Sequence, residues 1–271
     1  MRTLIHLSDL HFGRTDDSLL EPLAAIVREL APDLIAVSGD LTQRARAVEF
    51  KAARAFLDRL PTPQITVPGN HDIPLYNVFK RFIQPLAGYR RYVTADLEPF
   101  YLDAEIAVLG INTARSLTFK RGRINESQIA SAQKRLSLLP EQIIKIIVTH
   151  HPFDLPTGHE SGGLVGRGEL ALKMLTIRKC DLLLAGHLHV SDVGGSSIRN
   201  LDQDYGAIIV QAGTATSTRA RGETNSFNVI KIEQDRIDVG HYAWELARGA
   251  FSSIKLEQFK RTATGWRRLS A

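Results

Sequence analysis

Six of the nine histidines in the chain fall in four short clusters, two of which also hold a carboxylate or a carboxamide, and a fifth cluster holds a carboxylate alone. The clusters are Asp9-Leu10-His11, Gly39-Asp40, Gly69-Asn70-His71-Asp72, His150-His151-Pro152 and Gly186-His187-Leu188-His189. Carboxylate oxygen, amide oxygen and imidazole nitrogen, with no thiolate, suit a borderline first-row divalent ion such as manganese, iron, zinc or cobalt. An all-oxygen calcium or magnesium site would look different. The donors are too many for one tetrahedral ion and fit two, with Asp40 as the natural shared carboxylate. Asp9 and His11 lie two apart, as do His187 and His189. In an extended segment such residues point to the same side, so each pair is expected to present two ligands to one place. The glycines before Asp40, Asn70 and His187 permit tight turns and close backbone approach.

Taken singly, each cluster has an ordinary structural explanation. Asp-x-His is common, and Gly-Asp after a strand is usually a turn. Their joint placement is informative, because every cluster directly follows an apolar run that reads as a strand. The other histidines carry no such weight: His6 lies inside a strand, His159 in a Gly-rich loop and His241 in a late strand.

The elements that must position these clusters alternate β-branched runs with helix-period segments, which indicates an α/β fold. Strands are expected at Thr3–Leu7, Leu34–Val37, Ile65–Val67, Ile106–Ile111, Ile143–Thr149 and Leu182–Ala185. Helices are expected at Leu19–Leu30, closed by Pro32, and at Val48–Leu60, closed by Pro61. Two more should run from Asn125 to about Leu138, opened by an Asn125/Gln128 capping box, and over Glu169–Arg178. The pattern then turns to strands alone, at Ala207–Gln211, Ser226–Glu233 and Arg236–Tyr242, the last two joined by a Gln234-Asp235 turn. In open α/β sheets the carboxyl ends of strands share one rim where ligands bind, so all five clusters should meet in one crevice.

The order of the blocks resembles the calcineurin-like metallophosphoesterase superfamily: Asp-x-His, Gly-Asp, Gly-Asn-His-Asp, a strand-end His, and Gly-His-x-His. The likeness runs from Asp9 to His189. It implies a four-layer αββα sandwich of two mixed β-sheets with the dimetal site at the carboxyl ends of the strands. It also implies one ion on Asp9, His11, Asp40 and His189 and another on Asp40, Asn70, His150 and His187, with His71 beside the scissile bond. Within the superfamily the pattern is similar to bacterial class III cyclic-nucleotide phosphodiesterases and glycerophosphodiesterases. The expected reaction is hydrolysis of a small phosphodiester by a hydroxide bridging the ions. His71 is expected as general acid and Asp72 as the group that orients it. Asn70, His71, His151 and Arg14 are the expected substrate contacts, with a place behind the neighbouring ligand as the other expectation for His151.

Domain 1–245 is expected to carry this site, with 73–123 as a lid or insertion and 246–271 as a weakly amphipathic C-terminal tail. The aromatic, basic stretch within 73–123 is expected to line or cover the pocket and to offer a homodimer contact. The same apolar, basic stretch and the tail suggest a peripheral lipid contact, and with it a rival activity on a lipid-linked diphosphate such as the UDP-diacylglucosamine of lipid A synthesis. A non-catalytic scaffold of the same fold is a further rival, disfavoured because every expected ligand is present. The net charge of +5 favours anionic partners, yet no dense basic stripe marks a nucleic-acid polymer site. Cys180 is the only cysteine, which excludes an internal disulfide and a thiolate cluster. The N-terminal apolar run is too short for a signal peptide, and a cytoplasmic location is expected.

Overall fold

The computed structural model describes residues 1–118, 120–155, 163–176, 179–195, 206–219 and 223–269. His159 and Arg178 lie outside them. Among the described residues, thirteen strands form two mixed sheets. The first has the order β13-β12-β11-β10-β1-β2-β3. Its members are β1 (Arg2–Leu7), β2 (Leu34–Val37), β3 (Gln64–Thr66), β10 (Ser226–Ile232), β11 (Arg236–Glu245), β12 (Ala250–Thr262) and β13 (Gly265–Arg268). The second has the order β4-β5-β6-β7-β9-β8. It comprises β4 (Phe100–Leu102), β5 (Ile106–Gly110), β6 (Ile144–Val148), β7 (Leu182–Ala185), β8 (Asp192–Gly195) and β9 (Ile208–Gln211). β1, β2 and β3 run parallel, as do β5, β6, β7 and β9. Antiparallel strands flank both sets.

The alternation of side chains across each strand builds the layers. Leu4, Leu34 and Ala36 turn inward and pack between the sheets with Val108, Ile146 and Leu184. Their neighbours Ile5, Ile35 and Val37 turn outward onto helices α1 (Leu20–Glu29) and α2 (Ala47–Leu57), through Leu23, Val27, Phe50 and Phe56. On the far side, Leu109, Ile147 and Leu183 meet α5 (Glu126–Ser137) and α6 (Gly168–Thr176). Strands buried on both faces need continuous apolar runs, and the central strands have them. The four layers are α, β, β and α.

Two segments differ from their sequence reading. The stretch expected as a lid begins with two short helices, α3 (Val78–Ile83) and α4 (Ala87–Tyr92). α4 is part of the outer layer rather than a cover: Gly88 abuts Phe50, Tyr92 stacks on Phe50, and the buried Tyr89 hydroxyl hydrogen-bonds Thr66 Oγ1 at 2.8 Å. The segment expected as a C-terminal tail forms β12 and β13 at the edge of the seven-stranded sheet. Its apolar residues alternate weakly because one face of this edge is wet. Phe251, Phe259 and Trp266 are buried while Ile254 and Leu256 are exposed. Trp266 Nε1 and Arg261 both donate to Asp181 Oδ1 at 2.8 Å, which fastens the last hairpin to the foot of β7.

Candidate metal centre

Five parallel strands end at one rim, and a cluster follows each. Asp9 and His11 follow β1, Asp40 follows β2, and Asn70 to Asp72 form a 3-10 turn after β3. His150 follows β6, and His187 and His189 follow β7. Asp9, His11, Asp40, His187 and His189 all adopt left-handed backbone, with φ of 52°, 49°, 51°, 74° and 61°. The paired ligands therefore converge through left-handed turns, not through the extended alternation expected from their i, i+2 spacing. For a residue with a β-carbon that conformation costs about 1–2 kcal/mol. Strain of this kind is sustained only where the surroundings over-determine it. The surroundings here are tight. A β-carbon on Gly186 would stand 1.8 Å from Ser8 Oγ, and one on Gly69 would stand 2.1 Å from Asp40 Oδ1.

The side chains meet around Asp9 and Asp40. His189 Nε2 lies 3.2 Å and His11 Nε2 3.4 Å from Asp9 Oδ1. The two imidazole nitrogens face each other at 3.3 Å. Asp40 Oδ2 is 3.8 Å from His11 Nε2 and 3.4 Å from His150 Nε2, so it reaches both histidines. Asn70 Oδ1 is 3.1 Å from His150 Nε2. The ligand atoms of His150, His151 and His187 lie within 4.8 Å of one another. His150 and Asn70 thus point toward Asp40, as a shared centre requires.

A ring of outer partners aims these groups. His150 Nδ1 donates to the Ser38 carbonyl oxygen at 2.7 Å, and His189 Nδ1 donates to that of Arg219 at 3.3 Å. Each bond fixes the tautomer that leaves Nε2 with its lone pair turned into the cluster. Ser8 Oγ and the His187 amide donate to Asp9 Oδ2, while the His71 amide donates to Asp40 Oδ1. Burial opposes ionisation of Asp9 and Asp40, yet the facing histidines hold both carboxyls well below the usual range. Both are therefore charged at neutral pH, as ligands must be.

These residues fit a pair of divalent cations. Asp9 Oδ1 is buried without a hydrogen-bond partner among the described groups. The lone pair of His189 Nε2 faces His11 Nε2, and two such nitrogens can approach that closely only with a proton or a cation between them. The spacings also match. Ligand bonds of about 2.0–2.1 Å place neighbouring donors about 3.0–3.4 Å apart.

Three expected roles change in the structure. Asp72 does not touch the His71 ring; its carboxylate accepts from the amides of Leu41, Thr42 and Gly69 and from Thr42 Oγ1. The 3-10 turn aims it backward, so it clasps the loops after β2 and β3. Burial and the charge of Asp40 push this carboxyl up to about 7, against the donors around it. Of the two places expected for His151, it takes the one behind the ligands and does not face substrate: it is fully buried against His150 and His187, with Nδ1 hydrogen-bonded to Thr113 Oγ1 at 2.8 Å. Arg14 lines a separate groove of about 690 Å³ with Phe12, Asp17, Phe56 and Arg59, and no candidate ligand lines that groove.

His71 stands at the mouth of the cluster, with Nε2 4.0 Å from Asp40 Oδ2. Its Nδ1 donates to the Gln43 carbonyl oxygen at 2.9 Å, and its Nε2 accepts from Arg219 Nη1 at 2.9 Å. The ring is therefore the neutral Nδ1–H tautomer. Burial lowers its pKa, Asp40 opposes this, and His11 and Arg219 add to the lowering. Arg219 is the site residue the motifs did not disclose. It stands in the loop between β9 and β10, and the parallel pairing of β9 with β7 sends that loop to the same rim. The strand was legible; its place beside β7 was not.

Comparison with known proteins agrees with this geometry. Residues 2–191 match the family model described as calcineurin-like phosphoesterase. The chain is 23% identical over 246 residues to the 3',5'-cyclic adenosine monophosphate phosphodiesterase CpdA of Escherichia coli K12, covering 84% of this chain and 81% of that protein. It is 26% identical over 174 residues to the glycerophosphodiester phosphodiesterase GpdQ of Enterobacter lignolyticus, covering 58% of each. Among solved structures, a dimetal phosphatase from Danio rerio superposes with a TM-score of 0.67 at 15% identity, covering 94% of this chain and 98% of that one. With the motifs in order, the strand-end ligands converged and the family model spanning most of the chain, the protein belongs to the calcineurin-like phosphoesterase family.

Proposed function

We propose that the chain is a dimetal phosphoester hydrolase acting on small phosphodiesters, with a 3',5'-cyclic nucleotide or a glycerophosphodiester as the substrate type. The observation that carries this reading is Asp40, an ionised carboxylate within 3.8 Å of His11 and 3.4 Å of His150, set to serve two ions at once. Asp9, His11, Asp40 and His189 would hold one ion, and Asp40, Asn70, His150 and His187 the other. When bound, such a pair activates water and offsets the charge of a phosphoryl group. The protein's own part is orientation. Ser38, Ser8 and the amides of His71 and His187 lock the ligands, and His71 Nε2 is the imidazole atom at the mouth. The CpdA and GpdQ relatives are named as phosphodiesterases, which supports the diester over other esters.

His71 as proton donor to the leaving alkoxide belongs to this proposal and sets a condition. Nδ1–H is committed to Gln43, so a donated proton has to be a second one, carried on Nε2. The test is a panel with added manganese: bis-nitrophenyl phosphate, nitrophenyl phosphate and cyclic AMP, on the wild type and on His71→Ala. Loss of about 10²–10⁴-fold on the ester with the poor leaving group, cyclic AMP, and far less on the nitrophenyl esters is expected of a general acid. Equal losses would remove that role, and no turnover of any ester by the wild type would remove the hydrolase reading.

A second reading, hydrolysis of a lipid-linked diphosphate, has one specific observation in its favour. Around α3, Tyr76, Val78, Phe79, Phe82 and Ile83 are exposed, while Arg81 is turned inward onto the carbonyls of Pro74 and Ser116. Tyr76 lies under the Arg44 guanidinium, beside the Gln43 that orients His71. Among the described residues no helix is long and apolar enough to cross a membrane. Turnover of a lipid-linked diphosphate above that of cyclic AMP would favour this reading.

A further inference from the structure

Arg219 reaches the mouth of the crevice on a loop built to hold it still. The segment after β9 is zipped onto the strand-end segment that carries Asp9 and His11. The Ala215 amide donates to the Ser8 carbonyl, Thr214 Oγ1 to that of Asp9 and Thr216 Oγ1 to that of Leu10. Thr218 N donates to the Arg14 carbonyl, and Asn225 Nδ2 donates to that of Ser217 at 2.9 Å. From this base the backbone carbonyl of Arg219 accepts from His189, a candidate ligand, while its guanidinium lies 2.9 Å from His71 Nε2. One residue thus bridges the ligand cluster and the imidazole at its mouth.

Phosphate chemistry says what such a cation discriminates. A diester offers two terminal oxygens and one negative charge, which a pair of divalent ions can engage alone. A monoester offers a third terminal oxygen and a second charge. A guanidinium presents N–H donors in a planar fork matched to phosphate oxygens. We propose that Arg219 is a substrate-anchoring residue that engages the third oxygen of a dianionic phosphate, so that the site takes phosphomonoesters beside diesters. This rests on the phosphoesterase reading above and refines its substrate class. His71 holds the guanidinium ready, as hydrogen-bond acceptor, until the phosphate oxygen takes over the contact.

The test compares the manganese-loaded wild type with Arg219→Ala and Arg219→Lys. Calorimetry with inorganic phosphate reads the anchor directly, and nitrophenyl phosphate against bis-nitrophenyl phosphate reads the discrimination. Because the His189 contact uses the backbone carbonyl, the substitutions leave it in place, and elemental analysis checks that metal content is equal. The alanine variant should bind phosphate about 10- to 100-fold more weakly, the range expected for a lost charged hydrogen bond. Its kcat/KM on the monoester should fall by a similar factor while that on the diester changes by less than about fivefold; lysine, which keeps the charge without the fork, should lie between. Unchanged phosphate affinity, or equal losses on both esters, would overturn the proposal and leave the hydrolase reading standing. A wild type that turns over neither ester would defeat the hydrolase reading, and phosphate calorimetry would still decide the anchor.

Discussion

The two halves of the metal crevice use similar side chains in different surroundings. Asp9, His11 and His189 are 0%, 0% and 4% exposed, and two of them face the buried Asp9 carboxylate oxygen within 3.4 Å. The other half joins the buried His150 to Asn70 and His187, both only partly buried. Its own ligands are neutral, and its single carboxylate is the Asp40 it shares. Enclosure and a private carboxylate strengthen the hold on a cation, while exposure and neutral donors weaken it. The first half should therefore keep its ion, and the second should exchange its ion with solvent.

Breaking the shared group should have the largest effect. Asp40→Asn removes the carboxylate common to both halves, so both ions should be lost and turnover should fall by about 10³-fold or more. Elemental analysis beside the steady-state rate checks this, and a variant that keeps two ions and most of its rate would contradict a shared ligand. The halves separate next. Asn70→Ala should leave the enclosed ion in place and raise the manganese concentration for half-maximal activity by about 10–100-fold. His11→Ala should instead strip the tightly held ion, seen as a drop in metal retained after gel filtration. If both variants behave alike, the contrast between the halves is wrong. The smallest effect concerns the backbone that holds the ligands. Gly186→Ala drives a methyl group into Ser8 Oγ and Asp9 Oδ2. Relief of that overlap should cost about 1–3 kcal/mol and lower Tm by a few degrees, measured by calorimetry with metal present.

Much of the architecture was legible in the chain because local pattern and burial agree. β2 and β7 fall where the apolar runs at Leu34–Val37 and Leu182–Ala185 place them, and the Asn125/Gln128 capping box opens α5. The glutamine–aspartate turn closes the β10–β11 hairpin, where the Glu233 amide donates to the Arg236 carbonyl. Where pattern and burial diverge, the reading failed. β12 carries exposed Ile254 and Leu256 beside buried Phe251 and Phe259, so its period of two is blurred. β8 holds two glycines and little apolar surface, and only its antiparallel pairing with β9 makes it a strand. In the site, the donors could be picked out by type and by their position after strands. The direction in which each side chain leaves the backbone could not. Asp72 and His151 are the clearest cases, turned by a 3-10 turn and by burial against Thr113 away from the tasks their neighbours suggested.

Residue identity alone therefore determined the chemistry within reach: oxygen and imidazole donors, two carboxylates and no thiolate, set behind apolar runs that can only be strands. Those properties are local, fixed by side-chain type and by the period of burial. The tertiary structure decided which donors stand together, which ring nitrogen His71, His150 and His189 turn to the site, and that Arg219 stands over His71. These depend on β6, β7 and β9 lying side by side and on left-handed turns at Asp9, His11, Asp40, His187 and His189. Packing across the sheets imposes such geometry, and no window of sequence contains it.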